Sequence, residues 1–450
     1  MGATASVVLL TCGSANAGMG NLGTTYGILP SDLGTAQALS MFNTQVSSLY
    51  YNPAYVTVDP RGELTGGLMH AAPQLELKEL WGDGTVTRTG SNVLEDTPSQ
   101  QVLLGMKTDL TNLTQYQKPA YFGMILGVEK FGSEMMSFGS ETSQEGQYFE
   151  YGRQPLFLVL GGGANLWRGI SAGVSARVTL HSSATMNASS TMAGETSYEQ
   201  MDVSAKPKLR PILGLNIDWG KTLCPDSDCW LNGFETAFAF RGYSNSMTAV
   251  NSNITIPGTV PSPGVALLVN TLDAYQPNIY SVGLMYRQDK HYRVGLTVEM
   301  QQWSKLEDEL KKDTIKDQAV EATVGRLKFR DIVIPRIGGE YYLNPHIMLS
   351  GGVAYSQTPL DSRSSLDVNY LDSDKVIVGL GVSLQYDKPP VLAFPVRMDI
   401  GYQYQQLLKQ EFDFYTSQGA GYSATNPHHY ETVEASGSVN VISASVTLKF

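Results

Sequence analysis

Read backwards from Phe450, the final stretch alternates: Leu448, Val446, Ala444 and Ile442 share one face, and Lys449, Thr447, Ser445 and Ser443 share the other. A period of two marks a β-strand with one apolar and one polar face. The pattern recurs over 292–301, where Tyr292, Val294, Leu296, Val298 and Met300 alternate with Arg293, Gly295, Thr297, Glu299 and Gln301. It recurs again at 396–405, where Val396, Met398, Ile400, Tyr402 and Tyr404 alternate with Arg397, Asp399, Gly401, Gln403 and Gln405. Such strands run to about 10 residues or more, against roughly 5–6 in soluble sheets. Alternation alone fits two architectures. A soluble sandwich turns its apolar face inward. A membrane barrel turns it outward to lipid and keeps polar residues in the lumen.

The spacing of the strands separates the two. Strands are expected near 62–74, 101–111, 118–131, 148–165, 168–182, 208–220, 230–246, 273–288, 291–306, 326–343, 346–359, 372–387, 394–408 and 438–450, about 14 in all. Short connections at Asn165–Arg168, Lys221–Trp230, Gln288–Tyr292, Tyr342–Ile347 and Asp387–Pro395 alternate with long ones at about 182–207, 247–272, 307–325, 360–371 and 408–436. An even strand number, with short turns at one end and long loops at the other, is the outer-membrane pattern. Tyr292, Trp303, Tyr341, Tyr342 and Tyr404 stand near strand ends and suit interfacial girdles.

Composition adds to this. Charged residues are 16% of the 450, against roughly 25% in average soluble domains. Hydrophobic residues reach only 42%, and Gly, Ser, Thr, Asn, Gln and Tyr make up the difference. No window approaches the roughly 18 apolar residues of a helical span. A net charge of −11 argues against a nucleic-acid partner. The 24 Tyr, 14 Phe and 5 Trp argue against disorder. Residues 3–17 run ATASVVLLTCGSANA, a short apolar stretch before the A-x-A-type site Ala15-Asn16-Ala17, so 1–17 is expected to be a signal peptide. Met1-Gly2 supplies no basic residue, which leaves a truncated start or an ordinary N-terminal strand as the alternatives.

Candidate chemistry is sparse. Cys224 and Cys229 lie in CPDSDC within one short turn, and export would allow them to pair. Their spacing is not that of a metal site, and no His is near. Gly169-Ile170-Ser171-Ala172-Gly173 matches a nucleophile elbow, but that motif needs a strand-to-helix turn and here falls within an expected strand. His428-His429 falls in an expected long loop, and Gly161-Gly162-Gly163 reads as close-packed strand. The chain is therefore read as a non-enzyme without metal or cofactor.

Residues 18–58 are Gly-rich at first and weakly helical around Asp32–Met41. A barrel of about 14 strands has a lumen to fill, so 18–58 is expected to plug it and 59–450 to form the wall. Asn52-Pro53-Ala54 in this segment carries a resemblance, joined by QQWSKL (301–306), FRDIVIPRIGGEYY (329–342), AYSQTPLD (354–361) and the closing strand. Over nearly the whole mature chain, the ordered set resembles the FadL/TodX family of outer-membrane transporters for hydrophobic compounds.

The resemblance implies an all-β, monomeric, 14-stranded barrel in the bacterial outer membrane, beside lipopolysaccharide. The barrel-assembly machinery would recognise its C-terminal Phe450. It implies passive uptake without ATP or cofactor: capture in a groove on long loops, a pocket in the lumen, and sideways exit through the wall. Long-chain fatty acids are the first expected ligand and aromatic hydrocarbons or alkanes the alternative, ahead of a general porin or barrel esterase. A dry groove holds apolar ligands at roughly 25 cal/mol per Å2 buried. Loops 182–207 and 247–272 are the groove candidates, the second with Ile254, Ile256, Val260, Val265, Leu267 and Leu268, which could instead pack against other loops. Fatty-acid members hold the carboxylate with basic residues at the end of the fifth strand and before the tenth. Here those places offer His181 or Ser182 rather than Arg, and Arg326 with Lys328, so the pattern is half kept. Arg177 also reads as part of a charge network with Asp399 and Glu299. Asn52-Pro53-Ala54 is expected to anchor the plug, with Pro53 fixing φ and Asn52 capping its own turn. A plain turn into the first strand is the alternative.

Overall fold

A computed structural model describes residues 22–83, 98–113, 118–130, 138–140, 150–188, 199–204, 208–225, 229–245, 249–254, 265–270, 275–288, 291–306, 328–362, 364–366, 372–390, 392–416 and 428–450. Fourteen antiparallel strands form one closed wall. They are β1 (Glu63–Gly82), β2 (Ser99–Asp109), β3 (Ala120–Lys130), β4 (Glu150–Trp167), β5 (Ile170–Ala188), β6 (Lys208–Asp218) and β7 (Phe234–Arg241). The second half holds β8 (Ile279–Gln288), β9 (Tyr292–Gln301), β10 (Ile332–Asn344), β11 (Ile347–Ser356), β12 (Lys375–Tyr386), β13 (Val396–Thr416) and β14 (His428–Lys449). Each strand pairs with its chain neighbours, and β14 returns to β1 with Glu63 opposite Lys449 and Ala71 opposite Val441. Closure leaves the wall without an open edge.

The two faces decide the medium. Leu68, Val102, Leu296, Ile337, Leu380 and Ile400 are exposed on the outside, whereas Glu63, Lys107, Glu129, Arg293, Glu340 and Gln403 are buried inside. Apolar residues outward and charges inward invert a soluble sheet and match a wall set in lipid.

Three strands exceed the expected bounds by eight residues or more. β1, β13 and β14 run to 20, 21 and 22 residues. At about 3.3 Å per residue each spans roughly 70 Å, far more than the apolar band of about 25 Å. Most of the expected 408–436 loop is therefore strand. Phe412, Phe414, Val433 and Ala435 are buried there at alternate positions, while Lys409 pairs with Glu434 at the surface. The surface charges masked the alternation. His428 and His429 accordingly lie on β14, not in a loop. His428 Nε2 meets Asp83 Oδ2 at 2.9 Å, and the His429 ring stacks on Trp81 with centroids 4.8 Å apart.

At the opposite end the turns are short. Gly169 takes φ +78° between β4 and β5, a conformation that favours glycine. Between β6 and β7 a helical turn, Trp219–Leu223, is capped by Asp218, whose Oδ1 accepts from the Lys221 amide at 3.1 Å. The Cys224–Cys229 disulfide follows it.

Candidate functional site

Residues 22–58 enter the barrel as short helical turns at Leu22–Thr25, Pro30–Gly34, Ser40–Phe42, Ser48–Tyr51 and Pro53–Thr57. None is long enough to be stable alone; the wall holds them. The segment meets all fourteen strands. Val46 N donates to Glu63 Oε1 on β1 at 3.0 Å, and Lys107 Nζ on β2 donates to Thr44 O at 3.2 Å. Leu49, Tyr51 and Val56 join an apolar cluster with Ile125 of β3 and Phe157 of β4. Ser175 of β5 donates to Leu49 O, and Ile212 of β6 completes that cluster. Phe42 and Tyr55 pack with Ala237 of β7 and Met285 of β8. Thr297 of β9 donates to Ala38 O at 2.8 Å, and Arg336 of β10 donates to Ala36 O at 3.1 Å. Ala36 also packs with Ala354 of β11 and Ile377 of β12. Gln403 of β13 donates to Tyr26 O at 3.4 Å, and Leu33 packs with Val439 and Val441 of β14.

Asn52-Pro53-Ala54 sits deep in this arrangement. Asn52 Nδ2 donates to Met41 O and its Oδ1 accepts from the Ala54 amide, both at 3.2 Å. A Cβ at Gly173 would stand 2.3 Å from the Pro53 carbonyl carbon, and one at Gly214 would stand 2.2 Å from Asn52 Oδ1. The two glycines of the wall admit the motif. Ser171, the serine of the elbow-like motif, lies on β5 with its Oγ accepting from Thr57 Oγ1 at 3.1 Å, so it too serves the packing of this segment.

Charge is concentrated where the segment meets β5–β10. Arg241 pairs with Glu299, which also faces Arg336 at 4.0 Å. Arg241 lies over the rings of Tyr50 and Tyr51. Arg293 pairs with Glu340 and donates to Phe42 O at 2.9 Å. Arg177 pairs with Glu129 at 2.8 Å and lies over the Phe157 ring, while Asp399 pairs with Arg397. The expected network of Arg177 with Asp399 and Glu299 is thus corrected. Those acids are on β13 and β9, away from β5, whereas Glu129 on β3 is within reach across β4.

A small cleft opens at the loop end of the lumen, between β9 and β13. Thr24 and Thr25 of the N-terminal segment line it, and Trp303, Ile332, Ile334, Pro359 and Ile377 supply apolar wall. Its charged lining is Arg336, Asp372 and Lys375. Lys375 Nζ stands 3.2 Å from Asp372 Oδ1, and both residues are buried. Thr358 Oγ1 donates to Asp372 Oδ2 at 2.7 Å and fixes that carboxylate. Arg336 Nε has no partner among the described residues. Trp303 is 2% exposed and its indole N–H donates to Gln301 Oε1 at 2.7 Å. It is a lumen residue, not a girdle residue: β9 ends at Gln301, and the alternation of faces ends with it.

The other sequence candidates are dispersed. Lys328 is exposed and outside the cleft, its amide donating to Ser362 Oγ at 2.8 Å. Arg326, Ile256 and Val260 lie outside the described residues, as do the side chains of His181, Ile254, Val265, Leu267 and Leu268. The backbone of 249–254 pairs with 265–270, which also pairs with 138–140, giving a small sheet apart from the wall. Trp303, Arg336, Asp372 and Lys375 were not singled out as ligand contacts by the sequence. Arg336 had a usable signal, since it alternates with the apolar Val333, Pro335 and Ile337 of β10.

Comparison with known proteins gives the same picture. The family model described as "Outer membrane protein transport protein (OMPP1/FadL/TodX)" matches residues 242–450. Alkane uptake protein A of Marinobacter nauticus is 50% identical over 435 residues, covering 97% of this chain and 92% of that one. The chain belongs to the OMPP1/FadL/TodX family. It is an outer-membrane β-barrel. The crystal structure of a Pseudomonas aeruginosa FadL homologue superposes with a TM-score of 0.60 at 14% identity, over 93% of this chain and 98% of the other. The Pseudomonas putida toluene transporter TodX superposes at 0.53, also at 14% identity, over 94% and 99%. At that identity the likeness is one of fold. The descriptions of these relatives are those of transport proteins, not of enzymes.

Proposed function

We propose that this protein is a passive outer-membrane channel for uncharged hydrophobic molecules, with alkanes as its principal ligands. The observation that carries the reading is the 50% identity, over nearly the full length of both chains, to a protein named for alkane uptake. The lumen supports it. The cleft has an apolar wall, and its two cations face carboxylates of the chain itself, Lys375 facing Asp372 and Arg336 facing Glu299. An apolar chain needs no counter-charge, and its transfer out of water is favourable by roughly 25 cal/mol per Å2.

On this reading a ligand is captured by the long loops, rests in the cleft, and leaves sideways into the membrane. Residues 22–58 act as the plug, anchored through Asn52-Pro53-Ala54, and 1–17 is a cleaved signal. The gradient drives net movement, so no cofactor is consumed. The test is uptake of labelled hexadecane and of labelled oleate in cells lacking their own channels and expressing this chain. Hexadecane uptake above the empty-vector level is expected. Oleate uptake alone would move the protein to the fatty-acid channels. Passage of sugars and ions with neither hydrophobe would make it a general porin.

A further inference from the structure

We propose that Asp372 is a specificity-determining residue that cancels the charge of Lys375 and so denies the cleft a cation for a carboxylate ligand. The inference rests on the reading of the cleft as part of the ligand path and names what that path rejects. Lys375 opens β12 at the rim of the cleft, buried, with its ammonium 3.2 Å from Asp372. Asp372 is three residues earlier and is not placed there by the helix or sheet ladder. Thr358 reaches across from the segment after β11 to hold it at 2.7 Å. Thr358 is fixed in turn, its amide donating to Asp374 Oδ1 at 2.8 Å, and its Oγ1 accepting from the Leu360 amide at 3.2 Å. The carboxylate is therefore set in place before any ligand arrives.

An ammonium buried beside an apolar wall is the group that would hold the head of a fatty acid. With an internal carboxylate already on it, an incoming one must either displace Asp372 or leave a second negative charge beside the first. Both are unfavourable in a poorly hydrated site. An alkane meets neither obstacle. The other cation of the cleft, Arg336, is tied to Ala36 O of the N-terminal segment and shares Glu299 with Arg241.

The test compares oleate with methyl oleate, which has the same chain and no charge, by the ratio of their dissociation constants on the full-length protein in detergent. Asp372→Asn keeps the shape and the Thr358 contact and removes the Asp372 charge from beside the ammonium. The ratio is expected to move about tenfold or more toward oleate, the effect of one charge-assisted contact. The double variant Asp372→Asn/Lys375→Met, neutral on both sides, is expected to keep the wild-type ratio, and it decides the matter if Asp372→Asn does not assemble. An unchanged ratio in assembled Asp372→Asn overturns the proposal. So does a tenfold loss of oleate preference in the double variant, which would show Lys375 already serving a carboxylate. A wild type that binds oleate as tightly as Asp372→Asn also overturns it and points to Arg336. Hexadecane uptake by wild-type cells is scored separately, so a failure of the alkane reading is distinct from a failure of this one.

Discussion

Lys449, next to the last residue of the chain, meets Asp59 with Nζ 2.6 Å from Oδ2, where the N-terminal segment leaves the lumen. The contact sits on the seam at which β14 closes against β1, so the last strand of the wall and the end of the lumen segment are fastened at one point. Lys107 of β2 adds a bond to Asp59 O at 3.1 Å, and Arg61 meets the same carboxylate at 2.9 Å. Asp59→Asn leaves Lys449 buried without its counter-charge. A loss of about 3–5 kcal/mol is expected, read as a lower urea midpoint for unfolding in detergent.

The same carboxylate sets a pH dependence. Burial raises the Asp59 carboxyl, but Arg61 and Lys449 outweigh burial and hold it well below the usual carboxylate range. A depressed folded value means its stabilisation is full above the unfolded value of about 3.9 and drains as pH falls through the folded one. Protease cleavage within 22–58 is therefore expected to rise below about pH 4 in the wild type. Asp59→Asn should remove the part of that rise due to this group; an identical profile in both proteins would rule the carboxylate out.

Asn52→Ala removes one cap and one bridge, to Ala54 N and Met41 O. Capping losses run to about 1 kcal/mol, too little to prevent the wall from closing. Hexadecane uptake is expected to fall while heat-modifiable mobility on gels stays that of a folded barrel. Normal uptake would leave the motif as a plain turn.

Glu299→Gln strikes the charge layer. Arg241 and Arg336 would remain buried with no carboxylate between them. A destabilisation of about 3–5 kcal/mol is expected, and restoring stability by a second change, Arg241→Met, would show that unbalanced charge was its cause.

The disulfide closes a small loop, with Cys224 and Cys229 five residues apart. Chain-entropy reasoning gives about 2 kcal/mol for so short a loop. Reduction is expected to lower thermal stability modestly and to leave uptake intact, because the turn lies at the end of the barrel away from the cleft.

The wall was legible because lipid and lumen impose opposite demands on alternate residues, and Val294, Leu296 and Val298 record that demand in order. Legibility stopped where the two media stop. Beyond the band, β13 and β14 face water as well as their own small core, so Lys409 and Glu434 appear among the apolar positions and the strand reads as loop. Trp303 lies past the end of β9, where spacing no longer tells inside from outside. Contacts across the lumen were also hidden. Whether Arg177 meets Glu129 or Glu299 depends on how the wall curves and which strands flank it, and neither is written in a two-residue period. The cleft pair shows the same limit from another side. Asp372 and Lys375 are close in sequence, but Thr358, which gives the pair its geometry, comes from a different connection.

An unfilled bore of fourteen strands would let nutrients and toxins of many kinds diffuse across the outer membrane, and its harm to the cell would grow with every copy made. Here residues 22–58 lie against every strand of the wall, with buried polar groups bonded to it. If this segment acts as the proposed plug, the barrier function of the envelope is separated from the abundance of the channel. On the proposed function, a cell growing on a poorly soluble carbon source is expected to place the protein densely in its surface and still exclude detergents, dyes and hydrophilic antibiotics as well as one that makes none.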